Sequence, residues 1–471
     1  MRRAITHAPS QTKAALWISF FLGLWVNLWS LDAAALPLYA TREGRTCDNC
    51  HINPNGWTNP DLSDRKCNLS CSGCHVDPLG GGLRTVSGRF YGESTLPMFL
   101  PSHRGWKDWG RHLFDFGPEE RKNRAPDLAW GSPIGGSAPW ALDQGRYAGL
   151  NADPLVSVGL DARVAAWSGG EGAFSVFPMQ LDTHLALHPV RHLTLFGTGG
   201  VLSKSKGVGA TFERETVYAP KDASLMVHQL PYQAYARVGR FIPPFGTRLD
   251  DHTSLIRREL ELDGASLHSR VTGAEVGLAP NYPYLNAAVF RPNQKEILSG
   301  ADPNNELDPS FWGVDGLGAA LSAGWRDLGW SLGGSAMLRR RALEDGGDTD
   351  TLGLQASFNP WFYSDSVPLT FMAEYDLGWR QRELSGKTAQ HTAAYAELDW
   401  LPYNGLNFRL KYDFADPDAE VKEDHLHRVG LGWDWNVIPN LTWTAQARLG
   451  IPAVGEGELQ PDFIFILRGW L

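Results

Sequence analysis

The sequence predicts an all-β fold, a transmembrane antiparallel β-barrel of about 14 to 16 strands, preceded by a small irregular or helical segment. Three observations carry this expectation. Apolar and polar residues alternate with period two from about Leu155 onward. The connections between alternating stretches are tight and long by turns. The composition, 51 Gly, 19 Trp and 13 Tyr with 43% hydrophobic residues, suits a sheet whose apolar residues are diluted by polar ones.

At the N-terminus, Arg2, Arg3 and Lys13 precede an apolar run from Ala14 to Leu31, and Ala33-Ala34-Ala35 supplies the small residues a signal peptidase needs. Residues 1–35 are therefore expected to be a signal peptide, with the mature chain beginning near Leu36. A membrane anchor is the competing reading, but Asn27, Ser30 and Asp32 cut the apolar stretch below the roughly 20 residues that span a bilayer. No long apolar run follows, so no membrane helix is expected. The net charge of -9 provides no basic patch, and nucleic acid is not an expected partner.

Residues 36–130 form the next expected unit. All five cysteines lie between Cys47 and Cys74, which describes one local site and not a disulfide framework spread over a fold. Four of them fall in Cys47-Asp48-Asn49-Cys50-His51 and Cys71-Ser72-Gly73-Cys74-His75. Each motif spaces two thiols to reach the two vinyl groups of one haem and turns the next imidazole onto the iron. Two covalent c-type haems are expected, attached through Cys47, Cys50, Cys71 and Cys74 and ligated by His51 and His75. A covalently fixed haem needs no large core, which suits the turn-rich Asn53-Pro54-Asn55-Gly56 and Asp77-Pro78-Leu79-Gly80-Gly81-Gly82. Cys67 is left over, its spacing to Cys71 fitting no third motif.

Two alternatives use the same cysteines. Cys47-x2-Cys50-x20-Cys71-x2-Cys74 approaches the spacing of a four-cysteine zinc ribbon, and an exported chain meets an oxidising compartment where disulfides form. The histidine after each pair, which a ribbon does not need, and the export signal favour haem. For the sixth ligands, which decide whether an iron is a relay or an open reaction centre, the candidates are His103 and His112. Surface or turn positions are the competing reading for both, and barrel histidines such as His184, His188 or His228 are the alternative ligands if the segment sits deep, where they would also lock it to the wall. Met98 is assigned to packing, and Arg84, Arg89 and Arg111 are too few over this length to single out as propionate partners.

Residues 131–471 are assigned to the barrel. Leu406, Phe408, Leu410, Tyr412 and Phe414 alternate with Asn407, Arg409, Lys411 and Asp413. Val429, Leu431, Trp433 and Trp435 do so against Arg428, Gly430, Gly432 and Asp434, and Leu441, Trp443, Ala445, Ala447 and Leu449 against Thr442, Thr444, Gln446 and Arg448. One face suits lipid and the other water. Arg326-Asp327, Asn404-Gly405 and Pro439-Asn440 read as tight turns, whereas Glu344–Asp350, Asp416–Asp424 and Pro452–Gln460 are longer and acidic. If the last strand, Phe463–Leu471, runs back to the periplasm, every long loop lies outside the cell. A soluble sandwich or propeller would leave the charged face unsatisfied in its core. The stretch Ala210–Asn305 is too irregular to count strands in.

Signal peptide, haem segment and single-chain barrel, in that order, resemble the outer-membrane porin-cytochrome fusions of iron oxidation and extracellular electron transfer. The matching residues are Tyr39-Ala40-Thr41-Arg42-Glu43-Gly44-Arg45-Thr46-Cys47 and Gly88-Arg89-Phe90-Tyr91-Gly92. The second motif, Cys71 to His75, departs from the usual pattern. The resemblance implies an electron conduit in the cell outer membrane, with the haem segment in the barrel lumen or facing the periplasm. Its partners would be periplasmic and extracellular cytochromes, its outer surface would meet membrane lipid, and Fe(II) or an extracellular acceptor would stand outside. Separately, Gly239-Arg240-Phe241-Ile242-Pro243-Pro244-Phe245-Gly246 is similar to a strand and turn of phosphate-selective porins, and its physical content is a strand ended by a Pro-Pro stop.

Two other functions use the same parts. A barrel-anchored, peroxidase-like dihaem enzyme needs one open iron and a nearby acid/base pair, and no such constellation follows His75 in the sequence; no catalytic residue is assigned. A solute porin would use the haem-bearing segment as a gate.

Overall fold

Strand alternation builds two unlike faces, and here the sheet closes on itself. The computed structural model describes residues 71–73, 75–85, 88, 99–100 and most of 155–470. The chain divides into two units, Met1–Ala34 and Ala35–Leu471, and all described residues belong to the second. Among them are sixteen strands: β1 (Val156–Ser168), β2 (Phe174–Val190), β3 (Leu193–Ser203), β4 (Thr216–Leu230), β5 (Ala234–Phe241), β6 (Val271–Leu278), β7 (Pro283–Arg291), β8 (Gly316–Arg326), β9 (Trp330–Arg341), β10 (Thr349–Phe358), β11 (Leu369–Gln381), β12 (Thr388–Tyr403), β13 (Leu406–Asp416), β14 (Leu426–Ile438), β15 (Leu441–Pro452) and β16 (Gln460–Trp470). Each pairs antiparallel with its sequence neighbours, and β1 pairs with β16 to close the barrel. Closure satisfies the backbone without an open edge, the condition for a sheet in hydrocarbon. The strand count stands at the top of the expected range, and the irregular stretch 210–305 contributes β4 to β7.

The burial pattern is that of a soluble protein turned inside out. On β13, Leu410 is 50% exposed while Lys411 and Asp413 are 4% and 2% exposed; on β14, Leu431 is 60% exposed and Arg428 8%. An outward surface this apolar is stable against lipid and not against water. That pattern excludes the sandwich and the propeller.

The longest connections gather at one end, with 359–368 the one long connection at the other and 169–173 and 382–387 short ones among the long. Gly405 (φ +74°) and Asn440 (φ +62°) supply the left-handed residues of the β12–β13 and β14–β15 turns. At that same end the chain enters β1 and leaves β16: the His188 amide donates to the Leu155 carbonyl at 2.9 Å and the Trp470 amide to the Asn440 carbonyl at 3.1 Å. The opposite end carries the connections 204–215, 242–270, 292–315, 342–348, 417–425 and 453–459. Asp350, Asp416 and Gln460 belong to strands, so the acidic loops are slightly shorter than the sequence indicates. Aromatic pairs gather near the short-turn end: Tyr282 with Trp325 at 5.7 Å, Trp400 with Phe408 at 5.8 Å and Trp435 with Trp443 at 5.7 Å between ring centres. This is the interfacial girdle of a membrane barrel, and the short turns mark the periplasmic side.

After β5 the chain does not turn back. Pro243 and Pro244 offer no backbone donors, so the ladder stops at Phe241 and the chain enters the lumen. Ile242, Phe245, Ile256 and Leu260 pack against Phe290, Met337 and Ala393 of the wall, around the short helix α1 (Leu255–Glu259). Gly246 (φ +61°) lies so close to the Glu374 carboxylate that a Cβ would collide with it, so glycine is required there.

Candidate functional site in the barrel lumen

Two chain segments meet inside the barrel: the inward loop 242–262 and the stretch 71–85 that carries the second cysteine motif. The loop is pinned by charge. Asp250 pairs with Arg163 at 2.6 Å and also with Arg468, and both arginines share Asp161, at 3.2 and 2.5 Å. Asp251 pairs with Lys411. Burial works against the Asp251 charge, but Lys411 and Arg409 outweigh it and hold the carboxyl well below the usual carboxylate range. Arg428 donates to the Thr253 carbonyl at 2.6 Å and to Asp413 at 2.8 Å. Arg257 pairs with Glu374, and Arg380 with Glu259 at 3.0 Å. Loop and wall thus neutralise each other's buried charges, which water alone would otherwise have to satisfy.

The second segment is a hairpin. Cys71–Gly73 forms one tight helical turn, and the His75 amide donates to the Cys71 carbonyl at 2.9 Å. His75 then pairs with Arg84, and the Val76 amide donates to the Leu83 carbonyl at 2.9 Å. Between them Asp77-Pro78-Leu79-Gly80 turns, with the Gly80 amide donating to the Asp77 carbonyl and the Leu79 amide to the Asp77 carboxylate, both at 2.9 Å. Gly80, Gly81 and Gly82 all have positive φ, at +92°, +80° and +60°, which accounts for the glycine run.

Apolar contact and one carboxylate seat this hairpin on the wall. Val76 and Leu83 pack with the inward-facing Ala186 of β2 and Phe196 of β3. The Asp77 carboxylate takes Arg237 of β5 at 3.2 Å and Arg248 of the inward loop at 3.2 Å. Burial raises the Asp77 pKa, but the two arginines and the Leu79 amide bring it down to about 2. Arg237 is itself held by Glu275 at 2.9 Å and lies over the Phe241 ring. Arg84 lies over the Trp470 ring, 5.0 Å from its centre. Farther along, the Phe99 and Leu100 amides donate to the carbonyls of Asn436 and Val437 at 2.9 and 3.3 Å, at the periplasmic end of β14.

The His75 imidazole is oriented by this turn. Its Nδ1 lies 3.1 Å from the Gly81 carbonyl oxygen, which only accepts, so Nδ1 carries the proton and Nε2 has the free lone pair. Enclosure in the lumen, with Arg84 and Arg248 nearby, pushes the ring down to about 3, so it is neutral at physiological pH. A neutral imidazole with its Nδ1–H on a carbonyl is the form in which histidine binds a metal through Nε2.

Of the expected site residues, the structure places Cys71 and His75 in this hairpin. Cys47, Cys50, His51, Cys74, His103 and His112, with Cys67 and Met98, lie outside the described residues. The inward loop with its charge partners was not singled out from the sequence, and His184, on the wall beside the hairpin, was named there only as an alternative sixth ligand. The signal for the loop was the Pro-Pro stop followed by Arg248, Asp250-Asp251 and Arg257-Arg258, charges that only distant strands neutralise.

A closed, lipid-facing barrel with a lumen occupied by its own chain defines the class: an outer-membrane β-barrel with an internal plug. No protein-family model and no curated protein matches the sequence. Similar solved structures include outer-membrane proteins and a porin. A loop-deletion form of OmpT, an outer-membrane protein of Vibrio cholerae, superposes with TM-score 0.48 at 9% identity over 67% of this chain and 99% of that one. An anion-selective porin from Comamonas acidovorans gives 0.45 at 11%, over 67% and 99%, and OprB of Pseudomonas putida 0.48 at 9%, over 73% and 98%.

Proposed function

We propose that this chain is an outer-membrane electron conduit, carrying electrons between the cell exterior and periplasmic carriers with two covalently bound haems. The observation that supports it most is the seating of the Cys71–His75 turn inside the barrel, with His75 Nδ1 committed to Gly81 and Nε2 left as a ligand nitrogen. The residues fit the group. The turn brings the Cys71 carbonyl to the His75 amide, and Cys74 shares it in sequence. Cys71, Cys74 and His75 would hold one haem, Cys47, Cys50 and His51 the other, each supplying one-electron chemistry when bound.

The chain's own residues position that centre and seal around it. Asp77 ties the hairpin to the wall through Arg237 and to the inward loop through Arg248. Val76, Leu83 and Phe196 keep water from its back, and the loop 242–262 fills the lumen beyond. Phe99 and Leu100 bring the segment out at the periplasmic rim, where periplasmic cytochromes would dock. Fe(II) or an extracellular acceptor, or an extracellular cytochrome, would stand at the other end, and His103 and His112 remain sequence-based candidates for sixth ligands.

A second reading, a solute porin with a haem-bearing gate, is favoured by one feature. Arg163, Arg468 and Lys411 of the wall are covered by Asp250 and Asp251 of the loop, so displacing the loop would leave a cationic lining of the kind that selects anions in a pore. Proteoliposomes with an enclosed electron acceptor separate the two. The conduit reduces the acceptor from outside with little ion current in planar bilayers, and His75→Ala abolishes the reduction. Large conductance without acceptor reduction would establish the porin.

A further inference from the structure

We propose that this chain assembles with further copies of itself, side by side in the membrane, through the outward face of β2 to β9. The inference goes beyond the conduit reading and does not depend on haem.

A barrel surrounded by lipid needs aromatic anchors on every side. Here they stand on one half. Among the described residues, β10 to β16 with β1 carry eight exposed strand aromatics, Phe371, Tyr375, Trp400 and Trp433 among them. The equal number of strands from β2 to β9 carries three, Phe174, Tyr218 and Trp325. On that second half the rings turn inward instead, and Phe177, Phe196, Tyr235, Phe241, Tyr284 and Phe290 are buried. What it presents outward is mainly Leu and Val.

The wall is also lowest there. β5 and β6 have 8 residues each and β7 has 9, whereas about 9–11 tilted residues cross the apolar band. Lipid meets so low a wall only by thinning. A neighbouring barrel covers it without that distortion.

The relief of the face points to a second copy as the neighbour. A depression of about 330 Å³ has Gly197 and Ala223, paired across β3 and β4, in its floor, with Leu185, Leu195, Leu225 and Val238 around it. Beyond β5 and β6, Val289 and Leu321 stand outward as a ridge, 57% and 45% exposed. Gly197, Leu321 and Val289 are the fifth, sixth and seventh residues of their strands from the short-turn end, so depression and ridge lie within about 5 Å of one depth. Copies inserted from the same side share depth and orientation, so the ridge of one meets the depression of the next. Such a head-to-tail contact closes into a ring about an axis along the membrane normal. Eight strands at about 4.8 Å spacing and a band about 25 Å tall give roughly 950 Å² in projection. Divided between two neighbours and matched by theirs, each contact reaches about the 1,000 Å² that a specific interface needs. Between apolar surfaces in lipid, it is this close fit that drives association.

The test is the mass of the full chain in mild detergent, with photo-crosslinking in intact outer membranes. The unmodified protein should contain two or more chains. Gly197→Leu with Ala223→Phe fills the depression; a Cβ at Gly197 meets nothing nearer than the Asp222 carbonyl oxygen at 3.6 Å, so the barrel should form and run as a single chain. Ala373→Phe, on the outward face of β11, should leave the assembly intact. A photo-crosslinking side chain at Val238 should give an adduct of twice the chain mass and one at Leu431 should not, which decides the matter if the filled variant does not fold. A single-chain mass with only lipid adducts at Val238, an adduct there to a different protein, or an assembly that survives the filled depression would overturn the proposal.

Discussion

Asp77 and Arg237 meet at 3.2 Å inside the barrel, one on the hairpin of the second cysteine motif, the other on wall strand β5 and 3% exposed. Removing the carboxylate leaves a buried guanidinium facing a neutral side chain, and Glu275 alone remains to balance it. Breaking a buried pair from one side costs about 3–5 kcal/mol. Asp77→Asn is therefore expected to loosen the hairpin, raising single-channel conductance and exposing residues 71–85 to protease in detergent. Arg248→Gln, which removes a half-exposed partner of the same carboxylate, should cost only about 1 kcal/mol and leave conductance near that of the unmodified protein.

The same carboxylate sets a pH window. Its pKa is about 2 in the fold, below the ordinary value near 3.9, so its stabilisation is fully present above the ordinary value and lost as pH falls through the folded one. Protease resistance of the hairpin should be unchanged from about pH 8 to pH 4, and should fail only below about pH 3. A loss already at pH 5 to 6 would point to a different anchor.

A third prediction concerns the inward loop. Lys411→Met leaves Asp251 buried without its cation, and Gly246→Ala drives a methyl group into the Glu374 carboxylate at a residue with φ +61°. Both should release the loop and increase ion current, measured in planar bilayers. Asp251→Asn with Lys411→Met, which removes both charges, should recover most of the loop's seating.

What could be read in advance follows from sequence distance. β13, β14 and β15 were legible because lipid on one side and charge on the other impose period two within a single strand, and Asn404-Gly405 and Pro439-Asn440 mark their turns locally. The cysteine motifs were legible for the same reason, since five consecutive residues carry each of them. The inward loop was not. Its charges resemble those of an outer loop until Lys411, Arg428 and Glu374 are known to face them, more than a hundred residues away.

The orientation of the barrel gives a fourth prediction. Both chain ends of the barrel lie at the short-turn end, so the connection 417–425 lies at the opposite end and faces the cell exterior. A tag at Asp418 should be labelled on intact cells, and one in the β8–β9 turn at Asp327 only after permeabilisation. The reverse pattern would invert the topology.

Haem content per chain tests the central proposal most directly. On denaturing gels stained for covalent haem, the unmodified protein is expected to carry two haems, and Cys50→Ala and Cys74→Ala one each, with the doubly substituted chain carrying none. Full staining in either single variant, or no staining of the unmodified chain purified from an export-competent host, would contradict it.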